Sequence, residues 1–274
     1  MPLPSVPESF FWTDTASGPV LKCRPLDRLA PHLFTTRELR LSSPDDWRHV
    51  ATLLGARSTV TLNQVHGREV RVVRHGVPSA PGRPDGDALV SNEPRVAIAV
   101  RAADCVPLLF ADSTTGAVAA VHAGWRGTAA GAATAALEAL TREFGARPDD
   151  VIVAIGPSIG ACCYEVGSEL VDAFAAAGHA RHLVDRWFVA RPAPRGARER
   201  PPLRLDLAGA NRDQLLLAGV PEQNIHDCGL CTAMHLDVLT SFRAEKDKAG
   251  RIAGLIRAGC STISAEVPAS SRRA

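Results

Sequence analysis

Three residues of this 274-residue sequence carry side chains able to ligate a metal ion or to act as nucleophile and base. They are His66 in NQVHG, Cys105 in RAADCVP and His122 in AAVHAGWRG, each between an apolar run and a turn. Two imidazoles and a thiolate suit a borderline-soft ion such as Zn²⁺, and three protein ligands leave a fourth position open for water or substrate. The three lie far apart along the chain, so no local ligand spacing joins them. Read singly, each has an ordinary structural explanation as a buried thiol or a core histidine. Their surroundings argue for more. Asp104 adjoins Cys105, and glycines crowd His122 although glycine costs roughly 0.5–1 kcal/mol in regular structure unless geometry demands it.

Further polar groups flank these residues. HAGWRGT sets backbone N–H groups and Arg126 at the start of a helix, where the dipole favours phosphate or a carboxylate; a simple cap with a solvated Arg is the alternative. DGDAL supplies Asp85 and Asp87, which suit either the orienting of a metal-bound His or ordinary Asx-turn chemistry. Cys228-Gly229-Leu230-Cys231 has thiol-redox spacing without the strand-then-helix setting of an oxidoreductase, and reads as structural. Cys162-Cys163 reads as packing in a Gly-rich turn. No P-loop, dinucleotide fingerprint, nucleophile elbow, HExxH helix or zinc-deaminase signature is present.

The elements that must position these groups follow from periodicity. Runs 59–65 and 69–74 read as strands with His66-Gly67 as the turn between them. The stretch 81–87 is turn-rich, and 88–91, 95–101, 106–111 and 117–122 are strand candidates, with Cys105 in a break. A helix of strong formers is expected over 128–144, ended by Gly145. A strand at 151–155, helices at 167–177 and 206–218, and a last strand near 252–257 complete the pattern. Strands early and helices late argue for an α+β fold rather than regular βαβ repetition.

Composition bounds the class. A hydrophobic content of 46% with 22% charged residues is that of a folded globular chain. The formal net charge of +2 gives no nucleic-acid footprint, the nearest thing being the Arg-rich stretch 191–204. One domain over 1–274 is expected, with an irregular segment over 1–30 and a basic Pro-rich loop at 191–202. No secretory signal or membrane span is legible, so a cytoplasmic protein is expected. Seven cysteines without an export signal point to thiol chemistry or burial rather than disulfides.

Taken in order, NQVHG, DGDAL, ADCVPLLFAD, AVHAGWRGT, IGPSIG with CYEVG, LDL, and CT…SFR…GR closely resemble the polyphenol oxidase, or laccase-domain, family now regarded as purine nucleoside phosphorylases. The likeness runs from about residue 34 to 257. It implies a four-layer α/β/β/α sandwich of mixed sheets, similar to the toxin-type cysteine deamidase fold. It also implies a site of Cys105, His66 and His122 that binds zinc, phosphorolysis of adenosine, guanosine or inosine and methylthioadenosine, and deamination of adenosine. Asn63, Gln64, Asp104, Asp87, Arg126 and Arg37 are the expected substrate or phosphate contacts. In FTTR at 34–37 the family's following pair of glycines is replaced by Glu38-Leu39-Arg40, which puts the contact from Arg37 in question. The expected partners are purine nucleosides and phosphate, with neither nucleic acid nor membrane, the chain being a monomer or homodimer. Two other chemistries stay open: copper-dependent phenol oxidation, and a metal-free cysteine hydrolase using Cys105 as nucleophile.

Overall fold

The computed structural model describes residues 2–39, 41–76, 82–190 and 203–259. Two six-stranded sheets dominate. The first has the order β1 (Phe10–Thr15), β2 (Gly18–Cys23), β3 (His32–Phe34), β15 (Ile252–Arg257), β7 (Val96–Ala102) and β4 (Ser58–Thr61). The second has the order β14 (Ile225–Asp227), β10 (Val151–Ile155), β8 (Val106–Asp112), β9 (Val118–Ala123), β6 (Ala88–Ser91) and β5 (Val70–Val73). Both are mixed, because β4 runs parallel to β7, β5 to β6 and β10 to β14, while the remaining pairs are antiparallel. A small sheet joins β11 (Glu165–Val166), β13 (Leu203–Leu205) and β12 (Phe188–Ala190).

Period-two alternation divides the side chains of the central strands between two cores. Val106, Leu108 and Phe110 of β8 pack with helices α4 (Ala132–Phe144), α5 (Glu169–Ala176), α6 (Arg181–Trp187) and α7 (Leu207–Leu217). Leu109 and Ala111 face the other way, into a core shared with Phe34, Ile98 and Ile252 of the first sheet. The outer face of the first sheet meets α2 (Pro44–Leu53) through Val50, Ala51, Ala97 and Leu255. The result is the expected α+β sandwich, layered α/β/β/α. Short α1 (Arg24–Asp27), α3 (Trp125–Ala129) and α8 (Phe242–Glu245) sit at strand ends. No helix among the described residues is long and apolar enough to cross a membrane.

Three sequence expectations need correction or refinement. The segment 1–30 is not irregular: Phe10–Thr15 and Gly18–Cys23 form a hairpin, closed by Gly18 at φ 102°, in which apolar side chains cover the inter-sheet core. The chain bends at His66-Gly67 but the strands on either side are not neighbours, because β4 and β5 belong to different sheets and the segment between them crosses from one to the other. The helix expected over 128–144 is two, α3 and α4, since Gly131 at φ 77° takes a left-handed conformation that an α-helix cannot continue through. The loop at 191–202, Arg40 and Cys260 lie outside the described residues.

Phe34 locks the inter-sheet core against two glycines. A Cβ on Gly156 would stand 2.3 Å from Phe34 Cε1, and one on Gly254 3.1 Å from the same atom. Gly156→Ala is therefore expected to force a buried ring aside and to destabilise the chain by at least about 1–3 kcal/mol, the usual cost of overpacking. A lowered urea midpoint at unchanged slope would bear this out; an unchanged midpoint would contradict it.

Candidate active site

The three singled-out residues converge where the chain passes between the sheets. His66 lies on the crossing from β4 to β5, Cys105 on the crossing from β7 to β8, and His122 near the end of β9. Alternation puts His122 on the face of β9 that carries Val118 and Ala120, toward the first sheet. Its register partner on β8 is Pro107, two residues after Cys105. One ligand atom from each of His66, Cys105 and His122 lies within 4.8 Å of the others, and the two imidazoles meet edge to face at 4.9 Å. Gly124 makes the approach possible, since a Cβ there would stand 2.9 Å from Cys105 Sγ and 3.1 Å from His66 Cδ2.

Asp87, fully buried, organises the cluster. Its Oδ1 accepts from the backbone N–H of His66 at 2.9 Å and pairs with His122 Nδ1 at 2.9 Å, while Oδ2 accepts from Gly67 N–H at 2.6 Å. The Asp87 carbonyl also accepts the His122 N–H at 2.8 Å. His66 adopts φ 62°, a left-handed conformation that costs a non-glycine residue on the order of 1–3 kcal/mol and persists only when neighbours enforce it. Burial pushes the Asp87 carboxyl up, but the His122 ring and the two backbone donors outweigh it and hold it below its ordinary value.

The same contacts polarise the thiol. Burial opposes ionisation of Cys105, yet hydrogen bonds and charge from His122 and then His66 bring it down to about 6. Burial likewise opposes protonation of His122, and Asp87 followed by Cys105 raise it to about 9. Between those values the pair is thiolate and imidazolium, with Asp87 behind the imidazole.

A cavity of about 570 Å³ opens over this cluster, within the range of small-molecule sites. Among the expected contacts, Asn63, Gln64 and Asp104 line it. Each is committed elsewhere: Asn63 Nδ2 donates to Asp85 at 2.6 Å, and Gln64 grips the Arg101 backbone through both ends of its amide, at 2.7 and 2.9 Å. Asp104, at φ 90°, accepts from Thr232 Oγ1 and from Arg243 N–H, both at 2.6 Å. Two of the expected contacts are not among the lining residues. Arg126 is exposed, stacks its guanidinium 4.3 Å over the Trp125 ring and is absent from the cavity wall, because α3 begins there and turns the side chain outward. Arg37 is likewise absent from the wall, donating to Leu236 O and pairing with Glu245 at 3.0 Å.

Sequence reading missed the cationic wall. Arg101, Arg243, Lys246 and Arg251 line the cavity with Trp125, Tyr164 and Phe242. Tyr164, Phe242, Arg243 and Arg251 stood inside the quoted CYEVG, SFR and GR motifs, so the signal was present, but nothing local in it pointed toward Cys105. Arg101 Nε is buried and has no hydrogen-bond partner, and burial, with repulsion from Arg83 and Arg251, holds this guanidinium below its ordinary value. Burial and then the nearby Cys105 charge push the Tyr164 phenol up to about 12, so it stays a donor.

The donor set fits a metal. A thiolate, two imidazoles and a carboxylate that fixes one ring by its Nδ1 make a borderline-soft ligand group with a second shell already in place. His66, Cys105 and His122 would hold the ion and leave a position facing the cavity.

Fold and site together define a mixed α+β sandwich carrying a Cys/His/His group beneath a basic cavity. The family model described as multi-copper polyphenol oxidoreductase laccase matches residues 44–259, and the chain belongs to that family. A relative from Deinococcus radiodurans named purine nucleoside phosphorylase is 36% identical over 88% of this chain and 94% of its own length. A protein from an unknown prokaryotic organism named adenosine deaminase RL5 is 42% identical over 53% of this chain and 52% of its own. The crystal structure of the Bacillus licheniformis hypothetical protein YfiH superposes with a TM-score of 0.78 at 26% identity, over 90% of this chain and 99% of that one.

Two outcomes are expected from this geometry. Asp87→Asn keeps the bulk of the side chain but weakens its grip on His122, so affinity for a metal ion at this group is expected to fall about 10–100-fold, as typically follows loss of a ligand's hydrogen-bond partner; chelator competition on variants with intact circular dichroism measures it. In chelator-stripped protein, Cys105 ionises as pH rises through about 6. Its alkylation by iodoacetamide should therefore inflect there and not near ~8.5, the range of an ordinary thiol, with Cys105→Ser as the control.

Proposed function

We propose that this chain is a purine nucleoside phosphorylase acting on adenosine, guanosine or inosine and methylthioadenosine, with deamination of adenosine as a second reaction at the same Zn²⁺-binding group of His66, Cys105 and His122. The observation that carries this reading is the juxtaposition of that group with an anion-ready wall containing the unpartnered Arg101 Nε. The relatives' names support the reaction class.

In phosphorolysis a phosphate oxygen forms a bond to the ribose C1′ while the C1′–N9 bond breaks, and the base departs with a proton. Arg101, Arg243, Lys246 and Arg251 are the groups suited to hold phosphate, since four cations around one cavity favour a polyanion over a neutral nucleophile. Trp125, Tyr164 and Phe242 offer apolar faces to a purine. His66 and His122 would hold the ion as neutral rings, His122 keeping its Nδ1–H on Asp87, and the Tyr164 phenol on the cavity wall is the group left to donate a proton to the departing base. Asp104 orients Arg243 through its backbone N–H, and Gln64 fixes the end of β7 beneath Arg101. Bound zinc supplies Lewis acidity in the same cavity.

A second reading has its own observation: Cys105, His122 and Asp87 also form a thiolate–imidazole–carboxylate series of the kind used by cysteine hydrolases. Purified protein incubated with adenosine separates the readings. Adenine and ribose 1-phosphate are expected only when phosphate is added, and inosine with ammonia independently of it. Cys105→Ala and chelator should each lower turnover by at least about 100-fold, the order of a lost catalytic contact. Absence of adenine, hypoxanthine and inosine overturns the proposal; turnover indifferent to chelator but blocked by iodoacetamide favours the hydrolase, and oxygen uptake with phenols after copper loading favours polyphenol oxidation.

A further inference from the structure

A second group of soft ligands lies outside the cavity wall. Cys162 and Cys163, in the turn after β10, converge with Cys231, the second cysteine of the CGLC segment, and the three sulfurs all lie within 4.8 Å of one another. The sequence reading of Cys162-Cys163 as packing does not hold for Cys162, which is exposed, whereas both cysteines of CGLC are buried, as their structural reading expects. Cys162 is exposed and Cys163 half-buried, while Cys228 alone joins the inter-sheet core. Gly229 at φ 67° turns the chain between the two cysteines of CGLC, so that Cys231 faces the 158–163 turn, to which a bridge from Ser158 ties it.

We propose that Cys162, Cys163 and Cys231 form a second cation site, separate from His66, Cys105 and His122, that takes a thiophilic closed-shell cation, Zn²⁺ or Cu⁺. Three thiolates on one such ion at about 2.3 Å stand about 4 Å apart, so the sulfurs need close by less than about 1 Å. Among the described residues no carboxylate or imidazole belongs to the group, and three thiols select soft cations over Mg²⁺ or Ca²⁺. Burial, then the neighbouring thiols, push Cys162 up to about 12, and burial holds Cys163 above its ordinary value, so the free thiols are protonated and a cation displaces those protons. Two groups favour the thiolates once bound. Gly160 N–H donates to Cys231 Sγ at 3.3 Å, and the Arg204 guanidinium, held by the carbonyls of Ala161 and Cys162, brings positive charge beside Cys163. Gly160 lies close against two of these sulfurs, since a Cβ there would stand 3.2 Å from Cys162 Sγ and 3.6 Å from Cys231 Sγ. Binding replaces three S–H bonds with three S–metal bonds and releases three protons to solvent, with no change of oxidation state. Bound there, the cation ties the 158–163 turn to the 231–232 segment, where Thr232 supports Asp104 and Tyr164 enters the cavity wall.

Reduced, metal-free protein titrated anaerobically with Cd²⁺, Zn²⁺ or Cu⁺ alone tests this. Wild type is expected to bind two cations per chain, one at each group. Cys162→Ser/Cys163→Ser should bind one, with the sulfur-to-cadmium absorption falling to about a quarter as four thiolates become one. A His66→Ala/His122→Ala chain should keep the second cation and release about three protons on binding it. Cys162→Ser alone, at an exposed position, guards against misfolding and should weaken the second equivalent at least 100-fold while retaining zinc at the first group. Tighter binding of Zn²⁺ or of Cu⁺ identifies the cation, and either upholds the site. A single equivalent in wild type, or a second equivalent that survives in Cys162→Ser/Cys163→Ser, overturns it.

Discussion

The Asp87 carboxylate is the contact on which the site depends. It accepts two backbone N–H groups from the His66-Gly67 crossing and meets His122 Nδ1, so one buried side chain joins the strand β6, the crossing between the sheets and the end of β9. A buried carboxylate with a free oxygen would be costly, and each of these donors lowers that cost. The left-handed backbone at His66 is held by the same bonds, so the conformational strain of the site is offset within the site itself. In the metal-free chain His122 is thereby held charged, and its hydrogen bond to Cys105, with that of His66, lets the thiol ionise against the opposition of burial.

Electrostatics then divides the cavity. The negative half is Asp87 and the Cys105 thiolate beneath the floor; the positive half is Arg101, Arg243, Lys246 and Arg251 around the wall. Asp104 spends its two oxygens on Thr232 and the Arg243 backbone and does not neutralise that wall from within. A ligand with a polyanionic end and a flat, weakly polar end matches a cavity lined by these cations and by Trp125, Tyr164 and Phe242.

Steric exclusion shapes the same region. Gly124 lets Cys105 and His66 close on the start of α3, and Gly160 lets the sulfurs of Cys162 and Cys231 close on a neighbouring turn. Both glycines have ordinary negative φ-space or extended backbones, so the requirement is space for sulfur rather than conformational freedom. The two sulfur groups share the segments around Asp104 and Thr232, which places any ordering of one within reach of the other.

Much of this was legible in the sequence. The strands at 88–91, 106–111 and 151–155 and the last one at 252–257 were readable because each is an apolar run a few residues long bounded by turns, and His66, Cys105 and His122 because polar reactive groups at such boundaries are conspicuous. The hairpin at Phe10–Cys23 was missed although its aromatic run and Ser17-Gly18 turn were visible, and the break at Gly131 was masked by strong helix formers on either side. Local periodicity determined which segments became strands and helices, because burial on one or both faces is written in short-range patterning. Only the tertiary structure decided that Arg101, Arg243, Lys246 and Arg251 line one cavity with Cys105, and that Cys231 parts from Cys228 to meet Cys162 and Cys163. Those groupings depend on where crossings between two sheets bring distant turns together, a distance no run of neighbouring residues records.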